Sequence, residues 1–360
     1  MITKEHFRQL NIRAFPQHLW YDPKVIVLGV NNVCNLHCKM CDVGTQTLDT
    51  NFAQNLLGSK PLNMPLDLLK NIIDQMATDF PKTPLAYAFT EPLVYTHLIE
   101  SLSYAKEKGV PTSLTTNGLG LKHKAEKLVK AGLGQINISL DGTAAIHNEI
   151  RGHKSSFEQA IEGIIELGKF ENPPKITLIF AITTWNTGNL KGFIDFFRAL
   201  PITEIGFMHT QFADPQSVEN HNQIWGDVYP ATVSNIAETQ LETMDIDLLW
   251  EQITQIKSEK YPFNYYFSPN ITTKEDLKTY YFKPEIFMAK RCQAIFGNMM
   301  IKSNGSVIPA HGRCYNLEVG NVYENDLKSI WNSSVLSKFR KDVSENGGFL
   351  PACSRCCSAV

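Results

Sequence analysis

The segment NNVCNLHCKMCDVGT places Cys34, Cys38 and Cys41 at a C-x3-C-x2-C spacing. Thiolates this close on one loop can converge on a single soft metal centre. A structural zinc takes four ligands, and each of the four irons in an iron–sulfur cube takes one cysteine. Three cysteines leave one iron without a protein ligand, and an open metal position is where a substrate or cofactor binds. A zinc knuckle, or cysteines that merely fill a core, are the competing readings. Four further thiols, Cys292, Cys314, Cys353 and Cys356, make a full set. A hairpin separates the first two, and a C-x2-C pair supplies the others. Four ligands leave no vacancy, so a cluster there suits electron transfer better than substrate binding. A zinc-stabilised lobe would use the same four.

The elements that position these groups follow from hydrophobic period. KVIVLGV (24–30), LAYAF (85–89), TSLTT (112–116), QINISL (135–140), KITLIFAIT (175–183) and EIGFMHT (204–210) are strand-length apolar or β-branched runs. Helical patterns separate them, such as PLDLLKNIIDQMATDF with Leu66, Leu69, Ile72, Ile73, Met76 and Phe80 on one face. Six strands alternating with helices predict an α/β fold, a curved or closed parallel sheet with ligands at the carboxyl ends of the strands. The first cysteine cluster lies just beyond strand one. Residues 211–290 are rich in Asn, Gln, Tyr and Pro, with one helical pattern in IDLLWEQITQIK; they read as a linker or substrate-covering segment. From 291 a hairpin about Asn304-Gly305, a helix and the terminal CSRCC predict a small second domain. The expected boundaries are 1–23 for an N-terminal segment, 24–210, 211–290 and 291–360.

Lys and Arg (34) nearly balance Asp and Glu (36), which argues against a partner such as nucleic acid or an anionic membrane. The first twenty residues lack the apolar core of a signal peptide, and no apolar run reaches membrane-spanning length. A soluble, cytoplasmic protein is expected, and eight cysteines in a reducing compartment point to metal or redox chemistry before disulfides.

The cysteine spacing and its place after strand one resemble the radical S-adenosylmethionine (SAM) superfamily over residues 25 to about 210. The resemblance implies a partial (β/α)6 barrel with a [4Fe–4S] cluster on Cys34, Cys38 and Cys41, its open iron chelated by the amino and carboxylate groups of SAM. FTEP (89–92) stands where the family has Gly-Gly-Glu-Pro, so Glu91 would accept hydrogen bonds from the SAM amino group. The chain departs from that pattern at Phe89 and Thr90. TTNG, with Asn117, and ISLDG, with Ser139, resemble the ends of strands three and four, and Arg151 in IRG would suit the SAM carboxylate. Met40 would pack on adenine or simply fill space. The bland readings are a helix-start carboxylate for Glu91, a surface ion pair for Arg151 and a turn residue for Ser139.

The C-terminal set is similar to the shortened "twitch" form of the SPASM auxiliary domain, which implies one auxiliary [4Fe–4S] cluster on Cys292, Cys314, Cys353 and Cys356. Relatives place a cysteine directly after the hairpin proline; here Ala310 follows Pro309, so His311 is an alternative to Cys314, as Cys357 is to Cys356.

The resemblance implies cleavage of SAM to a 5′-deoxyadenosyl radical that abstracts hydrogen from an unactivated C–H bond. A flavodoxin- or ferredoxin-type protein would supply the electron. A two-electron oxidation of a small molecule is the expected reaction, with the auxiliary cluster as electron acceptor. A peptide maturase and a non-catalytic metal-binding scaffold are the rivals. Candidates for the proton acceptor or for substrate contact are His209, Asn186, Asp141 and Tyr87, all at strand ends.

Overall fold

A computed structural model describes residues 3–58, 60, 62–235, 239–356 and 358. Among the described residues ten strands form one sheet: β1 (Val25–Leu28), β2 (Leu85–Tyr87), β3 (Thr112–Thr116), β4 (Gln135–Ser139), β5 (Lys175–Ile182), β6 (Glu204–His209), β7 (Asn264–Ser268), β8 (Asn298–Ile301), β9 (Ser306–Pro309) and β10 (Gly320–Asn321). Their order is β10-β9-β8-β1-β2-β3-β4-β5-β6-β7. From β1 to β7 every neighbour is parallel. The end strands β10 and β7 do not pair, so the barrel is partial.

Strand alternation sorts the side chains into two layers. Leu85, Tyr87, Leu114, Ile136, Ile138 and Leu178 are wholly buried in the outer layer against helices. The helix Leu66–Asp79 buries Leu69, Ile72, Ile73 and Met76 there, the face its period foretold. The opposite positions, among them Ala88, Thr115, Ser139, Ile179 and Ala181, face the barrel cavity.

The six-strand expectation is extended at both edges. β7 lies within the segment read as linker or cover and pairs in parallel with β6 through Glu204↔Asn264 to Met208↔Ser268. Phe267 stacks on Phe207 with centroids 4.9 Å apart, continuing an aromatic cluster with Phe180 and Phe193. At the other edge, the expected hairpin is present as β8 and β9, and β8 also pairs in parallel with β1 over four residues. The cysteine-rich C-terminal region is therefore hydrogen-bonded into the barrel sheet. No helix among the described residues is long and apolar enough to cross a membrane.

Candidate SAM and auxiliary-cluster sites

A cavity of about 390 Å³ opens at the carboxyl ends of the strands. Cys34, Cys38 and Cys41 line it, together with Met40, Glu91, Asn117, Ser139, Asp141 and Arg151. Every cofactor-binding candidate from the sequence is thus at one cavity. The loop that carries the thiols is fixed by one long-range and one local backbone bond: the Lys39 amide donates to Ile150 O (2.9 Å), and Cys41 N donates to Cys38 O (3.2 Å). Gly44 packs so tightly that an added Cβ would lie 2.5 Å from the Cys38 backbone.

Glu91 is buried, and its carboxylate does two local tasks. Oε1 accepts from Leu93 N (2.9 Å) and Thr116 Oγ1 (2.7 Å), and Oε2 accepts from Asn117 N (2.8 Å). It caps the short turn Pro92–Val94 and ties it to the end of β3. Burial raises its pKa, and the bonds from Asn117, Thr116 and Leu93 oppose that rise. A carboxylate oxygen can take more than one donor, so Oε2 retains capacity for an ammonium group. Arg151 is no surface ion pair. Its Nε donates to Asp141 Oδ2 (2.5 Å) and Nη1 lies 3.6 Å from Cys38 Sγ. Burial works against its charge, but Asp141 and Cys38 more than compensate and hold it cationic.

The strand-end candidates divide. His209 lines a second cavity of about 300 Å³ that shares Met40, Phe89, Ile179, Ala181 and Arg313 with the first. Burial lowers its pKa to about 3, with Lys257 adding to the effect, so the ring is neutral. Its Nδ1 is 2.9 Å from Tyr281 Oη. The other three are corrected by their partners. Asp141 lines the first cavity, but its charge is already paired with Arg151 and its other oxygen accepts from Ala181 N (2.9 Å), so it braces Arg151 rather than standing as an unpaired base. Asn186 is a brace: it donates to Asp141 O and Ala181 O and accepts from Thr183 N, so its amide has no group to offer a substrate. Tyr87 points to the helix layer, where its hydroxyl donates to Ser101 Oγ (3.1 Å). One residue of strand alternation separates it from the cavity face that Ala88 occupies.

Cys292, Cys314, Cys353 and Cys356 line a third, tighter cavity of about 80 Å³. His311 lines it too, with Nε2 2.9 Å from Ser358 Oγ and 4.0 Å from Cys356 Sγ. Cys357, the other alternative, lies outside the described residues. Arg355, between the last two thiols, is almost fully buried and donates to the backbone carbonyls of Thr279, Tyr280, Lys283, Ile286 and Ser354. The sequence reading missed this anchor, and also missed Phe52, Thr183, Asn235 and Arg313 on the cavity walls.

The donor chemistry suits metal clusters at both sets. Burial raises the pKa of Cys38 to about 11, of Cys292 to about 12 and of Cys353 to about 11, and raises Cys314 well above its usual value. A coordinated metal deprotonates such thiols outright. Among the described residues, no three His, Cys, Asp or Glu side chains are grouped for a single ion. The thiols instead stand around cavities, an arrangement suited to a polynuclear cluster with one cysteine per iron.

Comparison with known proteins agrees. Residues 29–197 match the model of the Radical SAM superfamily, and residues 292–357 match that of SPASM, an iron-sulfur cluster-binding domain. The chain belongs to the radical SAM superfamily. Its cofactors are SAM, the [4Fe–4S] cluster that binds SAM, and an auxiliary [4Fe–4S] cluster in the SPASM domain. Among curated relatives, this radical SAM protein is 29% identical over 206 residues to Fe-coproporphyrin III synthase of Methanosarcina barkeri, a match covering 56% of this chain and 48% of the relative. It is 38% identical over 122 residues to GTP 3′,8-cyclase of Mycolicibacterium smegmatis, covering 33% and 32%. The matches thus span about half or less of these relatives. Streptococcus suis SuiB bound to S-adenosylmethionine shares the fold, with a TM-score of 0.61 at 18% identity over 92% of this chain and 72% of SuiB. So does anSMEcpe with bound AdoMet, with a TM-score of 0.59 at 16% identity over 88% and 83%.

Proposed function

We propose that this radical SAM protein oxidises a small molecule by two electrons, with Cys34, Cys38 and Cys41 holding the SAM-binding cluster and Cys292, Cys314, Cys353 and Cys356 the auxiliary one. The observation that carries the reading is a shared wall. Phe52 and Arg313 line both the SAM cavity and the auxiliary-cysteine cavity. A substrate beside SAM would then also sit beside an electron acceptor.

When bound, the first cluster and SAM supply a 5′-deoxyadenosyl radical that takes a hydrogen atom from a substrate C–H bond. The chain's own residues position and shield. Glu91 and Arg151 would hold the ammonium and carboxylate of SAM, with Ser139, Asn117 and Met40 completing that cavity. Met40, Phe89 and Ile179 give the second cavity an apolar wall that keeps water from a reactive species. Neutral His209 would accept a hydrogen bond from a substrate hydroxyl. The second electron would pass to the auxiliary cluster and the proton to a base or solvent. A flavodoxin- or ferredoxin-type protein would deliver the starting electron.

A peptide substrate is the second reading. SuiB was solved bound to its precursor peptide SuiA, and it shares its fold with 97% of this chain at a TM-score of 0.63 and 17% identity.

Anaerobically isolated protein should carry about eight irons per chain. Cys353→Ala should lower that to about four while reduced enzyme still cleaves SAM to methionine, with substrate oxidation lost. SAM cleavage that disappears with a folded C353A protein would overturn the electron-acceptor role.

A further inference from the structure

We propose that the second barrel cavity takes a substrate with a terminal oxyanion, a carboxylate or a phosphate, held by Arg313. This rests on the reading that the cavity receives the substrate of SAM chemistry.

Among the described residues, one cation at the cavity, Arg313, is in no ion pair. No Asp or Glu is among the described residues that line it. In the adjoining SAM cavity, Glu91 is held by Thr116, Asn117 and Leu93, and Asp141 is held by Arg151 and Ala181. Among the described residues, the arginines in ion pairs are Arg151 and Arg198. Arg313 instead rests on the Phe52 ring, 4.2 Å from its centroid. Aromatic stacking of this kind fixes a guanidinium while leaving its N–H fork free. Arg313 lines all three cavities, so it stands where SAM, substrate and auxiliary cysteines meet. A planar fork of N–H donors in a half-buried site matches a carboxylate or phosphate in two parallel hydrogen bonds.

A second observation marks the same cavity as a ligand site. Thr183 Oγ1, His209 Nε2 and Asn235 Oδ1 are buried with no hydrogen-bond partner among the described residues, and all three residues line it. An unpaired buried polar atom costs about 1–3 kcal/mol. Three on one cavity wall are best accounted for by a ligand that supplies the missing partners. Asn235 Oδ1 can only accept, so the ligand carries a hydroxyl or amine donor as well as the oxyanion.

The test is calorimetric titration of SAM-bound holoenzyme with malonate, inorganic phosphate and, as a neutral control, malonamide. Wild type should bind one of the two anions and not malonamide, and the anion that binds separates a carboxylate substrate from a phosphorylated one. Arg313→Gln should weaken that binding at least tenfold, and Arg313→Lys, which keeps the charge but not the fork, should fall between. Iron analysis confirms that each variant retains its clusters, and Arg313→Lys carries the test if the glutamine variant does not. Failure of both anions to bind wild type, or equal binding by both variants and wild type, would overturn the proposal. So would a loss of SAM affinity in R313Q with anion binding retained, which would assign Arg313 to the SAM carboxylate. A changed auxiliary-cluster potential with anion binding intact would assign it to that cluster and equally overturn it. Failure of the underlying function reads separately, as wild type that lacks iron or does not cleave SAM.

Discussion

Tyr315 sets its hydroxyl 3.2 Å from Cys353 Sγ. It is fixed there by a stack on His221, with rings 5.0 Å apart and 17° from parallel, whose Nε2 lies 2.6 Å from the Tyr229 carbonyl. That carbonyl makes Nε2 the donor. With Cys353 held as a thiolate, the phenol is the only donor of the Tyr315–Cys353 pair, and His221 Nδ1, the ring's accepting nitrogen, is the farther of its two acceptors at 3.4 Å. Hydrogen bonds to cluster sulfurs favour the reduced, more negative state.

Tyr315→Phe should therefore lower the reduction potential of the auxiliary cluster. A differential bond strength of about 1 kcal/mol between oxidation states corresponds to roughly 40 mV for one electron. An EPR-monitored redox titration reads it. A potential unchanged from wild type, with iron content intact, would remove Tyr315 from the redox role.

Phe89 has a backbone φ of +82°, where the family pattern has glycine. Its ring packs on Phe52 and His311, both at 6.3 Å, and fronts both barrel cavities. A left-handed conformation costs a residue with a Cβ about 1–2 kcal/mol relative to glycine. Phe89→Ala removes the ring and keeps the strain; Phe89→Gly removes both. Thermal unfolding should rank F89G above F89A by about 1 kcal/mol. An F89A protein as stable as F89G would contradict the strained backbone.

The sequence exposed the departure at Phe89 but not what it does, because a φ angle follows from tertiary packing. The first three cysteines, Glu91, Asn117 and Ser139 could be placed because each lies at or just beyond the carboxyl end of a strand, and Arg151 because it closes the helix Ala144–Arg151 that follows β4. Tyr87 was misplaced by one residue of alternation, since a three-residue strand between loops gives little phase information. β7 was hidden because, as an edge strand, it buries little beyond Phe267, and NYYFS has no clear period. Arg313, beside Cys314, had a signal in its neighbour. Thr183 and Asn235 had none, since only folding brings them to one cavity.

Arg355 offers a test of how the C-x2-C pair is held. Its five N–H donors all reach backbone carbonyls, four of them in or just beyond the helix Lys274–Phe282. Lysine has three donors on a point charge and cannot reproduce the fork. Arg355→Lys should destabilise the fold by at least about 3 kcal/mol, because buried carbonyls lose partners. Iron should fall toward about four per chain as the auxiliary set loosens. A variant with full iron and an unchanged melting midpoint would show that the hairpin and helices alone set the thiol geometry.

His209 ties stability to pH. Burial holds its folded pKa at about 3 against an ordinary value of 6.5. Between those values the unfolded chain binds the proton and the folded chain does not. The contribution is therefore fully present above pH 6.5 and declines as pH falls toward 3. Going from pH 7 to pH 5 should remove about 2 kcal/mol through this residue. Histidine 147, buried with a pKa near 2, acts in the same direction and stays in both proteins compared. His209→Asn keeps a neutral hydrogen-bonding side chain but cannot titrate, so its melting midpoint should fall less than that of wild type over the same interval. Comparing the two cancels acid damage common to both clusters. Parallel midpoints from pH 7 to pH 5 would mean that His209 takes up its proton in the folded protein as readily as in the unfolded chain, and that the cavity wall it forms becomes charged over this interval rather than staying a neutral acceptor.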